Sequence, residues 1–447
     1  MLKLFHITFL NLFLIFLAII FLLVFFTSVV KAENSPANIE WQKSLGGSEN
    51  DEVSSIQQTS DGGYIIVGGS YSNDGEVTGN HGKNDYWIVK LDSQRTLQWQ
   101  KSLGGSEYDG ASSIQQTSDG GYIIAGESSS NDGDVTGNHG KYDYWIVKLD
   151  SLGTLQWQKI FGGRLSEYAS SIQRTSDGGY IIAGYSDSND GDVTGNHGKD
   201  DYWIVKLDSL GNLQWQKSLG GSKFDYAYSS QQTSDGGFII AGESGSNDGD
   251  VTGNHGETDY WIVKLDSLGT LQWQKSLGGS GHDMAYSIQQ ISDGGYIIAG
   301  ISDSNDGDVT GNHGSYDYWI VKLDSLGSLQ WQKSFGGSGW DHVSSIQQTS
   351  DGGYIIAGHS RSNDSDVTGN HGKDDYWIVK LDSLGTLQWQ KSCGGSEYDY
   401  ARSIQQTSDG GYIIAGYSES NDGDVTVNHG KKDYWIIKLQ QQENVQR

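Results

Sequence analysis

The residues of this chain best suited to chemistry recur at a fixed spacing. "SNDGDVTGNHG" occupies residues 130–140, and nearly the same string returns six more times. Clustered Asp and Asn oxygens suit calcium, which takes six to eight oxygen ligands. Asp132, Asp134, Asp190 and Asp192 are the calcium candidates on that reading. The EF-hand order D-x-[DN]-x-[DN]-G is not met, because the glycine stands fifth in 187–192. Asn-Asp-Gly is also a turn former whose side chains bond their own backbone. The repeated histidine (81, 139, 197, 255, 313, 371, 429) has no second His or Cys nearby, which disfavours zinc. A metal-free, self-bonded turn is the expectation, with calcium as the alternative.

A second set is defined by where the copies differ. One position reads Asn50, Tyr108, Ser166, Phe224, His282, Trp340, Tyr398. Two residues further on stand Glu52, Gly110, Tyr168, Tyr226, Met284, His342 and Tyr400. The start of the long loop reads Gly69, Glu127, Tyr185, Glu243, Ile301, His359, Tyr417. Exposed aromatics suit contact with a glycan or a protein. Tyr108, Phe224, His282, Trp340 and Tyr398 are the expected contact residues, with Asp109, Asp225, Asp283, Asp341 and Asp399 beside them as hydrogen-bond acceptors.

Catalysis asks for a unique nucleophile, base and stabiliser, and near-identical copies supply none. His282 with Asp283 and His342 with Asp341 are neighbours in sequence, so their side chains point to opposite sides of an extended segment. No catalytic residue is assigned; an enzyme of hydrolase or quinoprotein type is the alternative. Cys393 fills a position held elsewhere by Leu45, Leu103, Phe161, Leu219, Leu277 and Phe335, so it reads as a buried hydrophobe.

The elements that must position these residues follow from the repeat. The Trp of "WQK" (41, 99, 157, 215, 273, 331, 389) and of "DYW" (87, 145, 203, 261, 319, 377, 435) both step by 58 residues. One unit reads as four strands: polar "SIQQT" (113–117), apolar "GYIIAG" (121–126), "DYWIVKLD" (143–150), and "LQWQKSL" (155–161, with Ile160 and Phe161 here). "SDGG" and "SLG" are hairpin turns with Gly where positive φ is required. Four antiparallel strands repeated seven times predict an all-β, seven-bladed β-propeller. The mature chain starts in a "WQKSLGG" strand (41–47) and ends after "DYWIIKL" (433–439), so the N-terminal strand is expected to complete the last blade. Connections alternate between faces, so the 104–111 and 127–142 loops share one face, and "SDGG" and "SLG" share the other.

"TSDGGYIIAG…DYWIVKLDSLGTLQWQKSLGGS" resembles the repeats of bacterial secreted β-propellers, kelch-like or of the delta-sixty type. The resemblance covers residues 38–439 and implies the propeller and a secreted or cell-surface placement; it carries no activity. The kelch double glycine is present only at Gly68–Gly69. "T-S-D-G-G-Y" is similar to the Asp-box turn of sialidases, but lacks the Thr-Trp that follows it there. The repeats' five arginines (Arg95, Arg164, Arg174, Arg361, Arg402) fall at different positions, which does not favour a carboxylate-gripping cluster.

Composition bounds the partners. A formal charge of −27 repels phosphate backbones and anionic headgroups, so nucleic acid is not expected. Residues 1–32, with an unbroken apolar run from Leu12 to Phe26 and "SVVKA" after it, read as a signal peptide or an N-terminal membrane anchor. The domain reading is therefore 1–32 for export, 33–440 for the propeller and 441–447 for a polar tail. The overall expectation is an exported, monomeric, non-enzymatic scaffold that binds a glycan or an extracellular protein. A calcium-dependent structural surface protein is the further alternative.

Overall fold

Each 58-residue unit forms the four strands its pattern requires, and the units close on one another. The computed structural model describes residues 36–440. The expected export segment and the polar tail lie outside the described residues. Twenty-eight strands form seven four-stranded antiparallel sheets. In the second blade the order from the inside is Asp109–Gln116, Tyr122–Ser128, Asp143–Leu149 and Leu155–Phe161. The polar strand is innermost because it lines an axial channel of about 260 Å³, walled by Ser, Ile and Gln side chains of six "SIQ" segments and the "SSQ" of residues 229–231. The apolar second and third strands are buried on both sides, and the alternating "LQWQK" strand forms the outer edge.

Closure occurs as the spacing predicts. Ile39–Leu45 pairs antiparallel with Asp433–Leu439 and serves as outer strand of the last blade. The replacement extends to side chains. Trp435 Nε1 donates to Gln42 Oε1 at 3.0 Å, as Trp145 Nε1 donates to Gln158 Oε1 at 3.0 Å within one repeat.

Blade-to-blade contacts repeat the same device. The buried Tyr86 ring packs 4.4 Å from Trp145 of the next blade, and its hydroxyl donates to the Trp145 carbonyl at 2.9 Å. Tyr434 does the same to Trp87, which closes the ring. Burying each such side chain contributes roughly 1.5–3 kcal/mol. Around the axis, Gln57 Oε1 accepts the Gln116 amide at 2.6 Å, and the Gln58 amide donates to Gln405 Oε1 at 2.7 Å. The polar strand thus bonds sideways into its neighbours.

Two local expectations change. The inner strand begins at Asp109 rather than 113, so residues 109–111 are strand and not loop. Each inner strand also carries a β-bulge, at residue 112 in the second blade and 228 in the fourth. Cys393 is buried, and burial pushes its thiol well above the ordinary range, which suits the hydrophobic role read from the repeat.

Candidate functional site

The long loop is a self-bonded turn. Asn131 Oδ1 accepts the Gly137 amide at 3.1 Å, Asn138 Nδ2 donates to the Ser128 carbonyl at 2.8 Å, and the Val135 amide donates to the Asp132 carbonyl at 3.0 Å. Asp132 Oδ1 is taken by the Ser106 amide at 2.8 Å, which ties this loop to the 104–108 connection on the same face. Asp190 is held by Arg164, while Asp134 and Asp192 accept the Gly104 and Gly162 amides at 3.3 Å. His139 Nδ1 lies 2.8 Å from Asp143 Oδ2, so the repeated histidine belongs to the turn as well.

The aspartates Asp109, Asp225, Asp283, Asp341 and Asp399 require a correction: they do not lie exposed beside the aromatics. All five are fully buried. Asp109 accepts the Ser128 hydroxyl, the Ser130 hydroxyl at 2.9 Å and the Gly105 amide at 2.7 Å. A short acid that opens a strand beneath two loops finds its donors in those loops, so it does not face a glycan or protein on the loop surface. The aromatic candidates divide. Phe224 and Trp340 are exposed, whereas Tyr108, His282 and Tyr398 are half-buried. His282 Nδ1 lies 3.2 Å from Thr258 Oγ1, and the Asp303 carboxylate accepts its backbone amide at 2.5 Å.

The structure unites the other two variable positions. The residue two beyond each aromatic and the residue that starts each long loop are register partners on adjacent strands. The pairs are Glu52–Gly69, Gly110–Glu127, Tyr168–Tyr185, Tyr226–Glu243, Met284–Ile301, His342–His359 and Tyr400–Tyr417. They stand at the loop-face ends of the inner strands, around the mouth of the axial channel.

The bulge adds a third residue to each group. It is Ser in four blades and Tyr228, Tyr286 or Arg402 in the other three. Bulges re-aim side chains, and here they bring Tyr228 to 5.0 Å from Tyr286 and Tyr286 to 4.5 Å from His342.

The result is a continuous arc of aromatic rings on one face. It runs from Tyr108 through Tyr142, Tyr168, Tyr185, Tyr226, Tyr228, Tyr286, His342, His359 and Tyr400 to Tyr417, with successive centroids 4.1–6.5 Å apart. It passes from the second blade to the seventh. In the first blade it is interrupted by Glu52, whose carboxylate accepts Lys432 Nζ at 2.7 Å. Lys432 also lies 4.7 Å over the Tyr417 ring. Polar groups are set into the arc: the Tyr228 hydroxyl donates to Glu243 at 2.6 Å, and the Arg402 guanidinium lies 5.5 Å from the Tyr417 ring. Burial raises Glu127 to about 8.

Sequence reasoning missed the bulge residues and the position before "DYW", where Tyr142 and Tyr316 stand. Tyr316 lies 5.5 Å from Trp340. Their departure from the repeat was a usable signal. On the opposite face five turn leucines, Leu152, Leu210, Leu268, Leu326 and Leu384, are 68–79% exposed. That face is uniform where the loop face varies.

No protein-family model matches the chain. "Regulatory protein FlaEY" of Caulobacter vibrioides is 28% identical over 252 residues, which covers 49% of this chain and 26% of that protein. The chain thus spans about a quarter of the length of the curated relative it matches. Similar solved structures include a Bacteroides caccae protein of unknown function (12% identity, 74% of this chain and 93% of that chain, TM-score 0.41). BamB from Moraxella catarrhalis (12%, 87% and 85%, TM-score 0.40) and the WD40 domain of Neurospora crassa Pan2 (12%, 89% and 95%, TM-score 0.49) are further examples. The architecture itself rests on the strand pairing within the chain: it is a seven-bladed β-propeller.

Proposed function

We propose that this propeller is a non-enzymatic binding module, exported to the cell surface or medium, whose loop face holds a neutral glycan across the mouth of the axial channel. The observation that carries this reading is the aromatic arc. Departures from sevenfold repetition concentrate on register partners, bulge residues and loop residues that adjoin in space, and in several blades they supply aromatic rings. Tyrosine offers rigid contact area at small entropic cost, and its hydroxyl answers sugar hydroxyls. The acids set among the rings, Glu127, Glu243, Asp200 and Asp374, suit a neutral polyhydroxyl ligand better than an anionic one. Asp374 already accepts the Tyr400 hydroxyl at 3.2 Å.

The relative named as a regulatory protein matches over too small a part of its length to supply a ligand. A panel of neutral oligosaccharides (gluco-, manno-, galacto- and N-acetylglucosamine series), immobilised and probed with the full propeller, tests the reading. Saturable retention by at least one series is expected. Retention of extracellular proteins with no saccharide bound would make the ligand a protein and overturn the glycan assignment.

A further inference from the structure

At every junction between blades a buried carboxylate oxygen has no hydrogen-bond donor. Asp85, the acid of "DYW", is fully buried. Its Oδ2 accepts the His81 amide at 2.9 Å and faces His81 Nδ1 at 2.8 Å, while Oδ1 has no partner. The same atom is orphaned in Asp143, Asp201, Asp259, Asp317, Asp375 and Asp433. The same atom without a partner in all seven blades is a property of the repeat. Buried carboxylate oxygens require donors or a cation.

A second carboxylate stands opposite. A Cβ placed on Gly104 would lie 2.7 Å from both Asp85 Oδ1 and Asp109 Oδ2. The orphaned oxygen and the acid that opens the next inner strand therefore border the same gap, which a glycine leaves open. At Gly220 the corresponding distances to Asp201 Oδ1 and Asp225 Oδ2 are both 2.6 Å. A third acid approaches from the long loop: Asp134 Oδ2 accepts the Gly104 amide at 3.3 Å. All three positions are acidic in all seven copies. The two departures from Asp, Glu167 and Glu76, lengthen the acid without removing it.

We propose that each junction binds a calcium ion between the orphaned "DYW" carboxylate oxygen and the acid of the next inner strand, with the long-loop acid as third ligand. The side chains that flank the gap offer carboxylate oxygens; His81 Nδ1 is held by Asp85 Oδ2 at 2.8 Å, and its Nε2 lies 3.9 Å from Asp134 Oδ2 at the outer side of the site. Oxygen donors select a hard cation, and calcium accepts irregular geometry and completes its shell with water. Among the described residues no three acidic, His or Cys side chains already surround one point. The two buried acids form the fixed half of the site, and the long-loop acid closes on the ion. This site lies beneath the self-bonded turn and does not use Asp132, which is committed to the Ser106 amide. Seven divalent ions would offset about half of the formal charge of −27.

The test uses the full propeller stripped with chelator, then titrated with calcium chloride or magnesium chloride. Native mass spectrometry counts bound ions and thermal unfolding follows stability. The expected result is calcium uptake approaching seven per chain, a melting temperature that rises with calcium, and a weaker response to magnesium. Asp201→Asn with Asp259→Asn should lower the count by two, whereas Asp132→Asn should leave it unchanged. No bound calcium in the parent protein, with a melting temperature indifferent to chelator, would overturn the proposal and leave a shared proton as the bridge between the acids. A count that the Asp201→Asn, Asp259→Asn variant does not change would also overturn it.

Discussion

His342 and His359 face each other across the first two strands of the sixth blade, their rings 4.9 Å apart and parallel to within 11°. The Nδ1 atoms of both are buried without a partner. Burial, reinforced for His359 by His342 and for both by Arg402, holds the two imidazoles neutral, with His342 depressed to about 3. A base whose folded pKa lies below its unfolded value stabilises the fold above the unfolded pKa, and that contribution fades as pH falls. For His342 the window runs from 6.5 down to about 3. The expected outcome is imidazole nitrogen shifts of neutral rings at pH 5. Titration of either ring near 6.5 would contradict this packing.

Closure depends on a strand that comes from the other end of the chain. Leu45 is 2% exposed and belongs to the core shared by the first and last blades. Leu45→Ala should destabilise by about 2–5 kcal/mol. Deleting the chain through Gly47 should lower the melting temperature sharply and promote association, because the Asp433–Leu439 edge is bared. Light scattering and thermal unfolding of the two variants check both expectations.

On the opposite face each blade carries a lysine under its "SDGG" turn, buried in six of the seven blades and half-buried at Lys322. Lys206 is 3% exposed and lies 2.9 Å from Asp177 Oδ2. Desolvation opposes ionisation of Asp177, but the Thr175 hydroxyl, Lys206 and the Gly179 amide together outweigh it and lower the acid to about 2. A depressed acid pKa gives stability that is present above the unfolded value of 3.8 and is lost as pH falls through about 2. Asp177→Asn should therefore melt below the parent at pH 7, and the gap should close by pH 2. A gap independent of pH would show that the ion pair contributes nothing and the loss is only steric.

The axial glutamines offer a test of the ring that does not touch the site. Gln289 Oε1 accepts the Gln348 amide of the next blade at 2.6 Å. Gln289→Ala should cost about 0.5–1.5 kcal/mol, the ordinary net value of one hydrogen bond. It should leave ligand binding unchanged, as denaturant unfolding and binding isotherms would show.

The repeat made the architecture legible. Trp positions stepping by 58 fixed the blade count, and the "WQKSLGG" start against the "DYWIIKL" finish fixed the closure. Strand order within a blade was not fixed by periodicity; it follows from the polar channel that only "SIQQ" can line. The site was half legible. Variation marked Tyr168, Tyr185, His342 and His359, but their pairing depends on register, and the selection of Tyr228, Tyr286 and Arg402 depends on a bulge that strand patterns do not reveal. Asp109 read as an acceptor for the ligand because its three donors come from residues 4 to 21 positions away and do not show in the local sequence.

The central claim is that the loop face, and not the face of exposed leucines, holds the ligand. Isothermal titration of a saccharide retained by the parent protein tests it most directly, with two double variants compared. Tyr226→Ala with Tyr400→Ala removes two rings of the arc, and Leu210→Ser with Leu268→Ser alters the opposite face. Each good aromatic contact is worth about 0.5–1.5 kcal/mol beyond area burial, so the first variant should weaken binding roughly tenfold or more, while the second keeps the parent affinity. Parent-like affinity in the Tyr226→Ala, Tyr400→Ala variant, or loss confined to the leucine variant, would contradict the account.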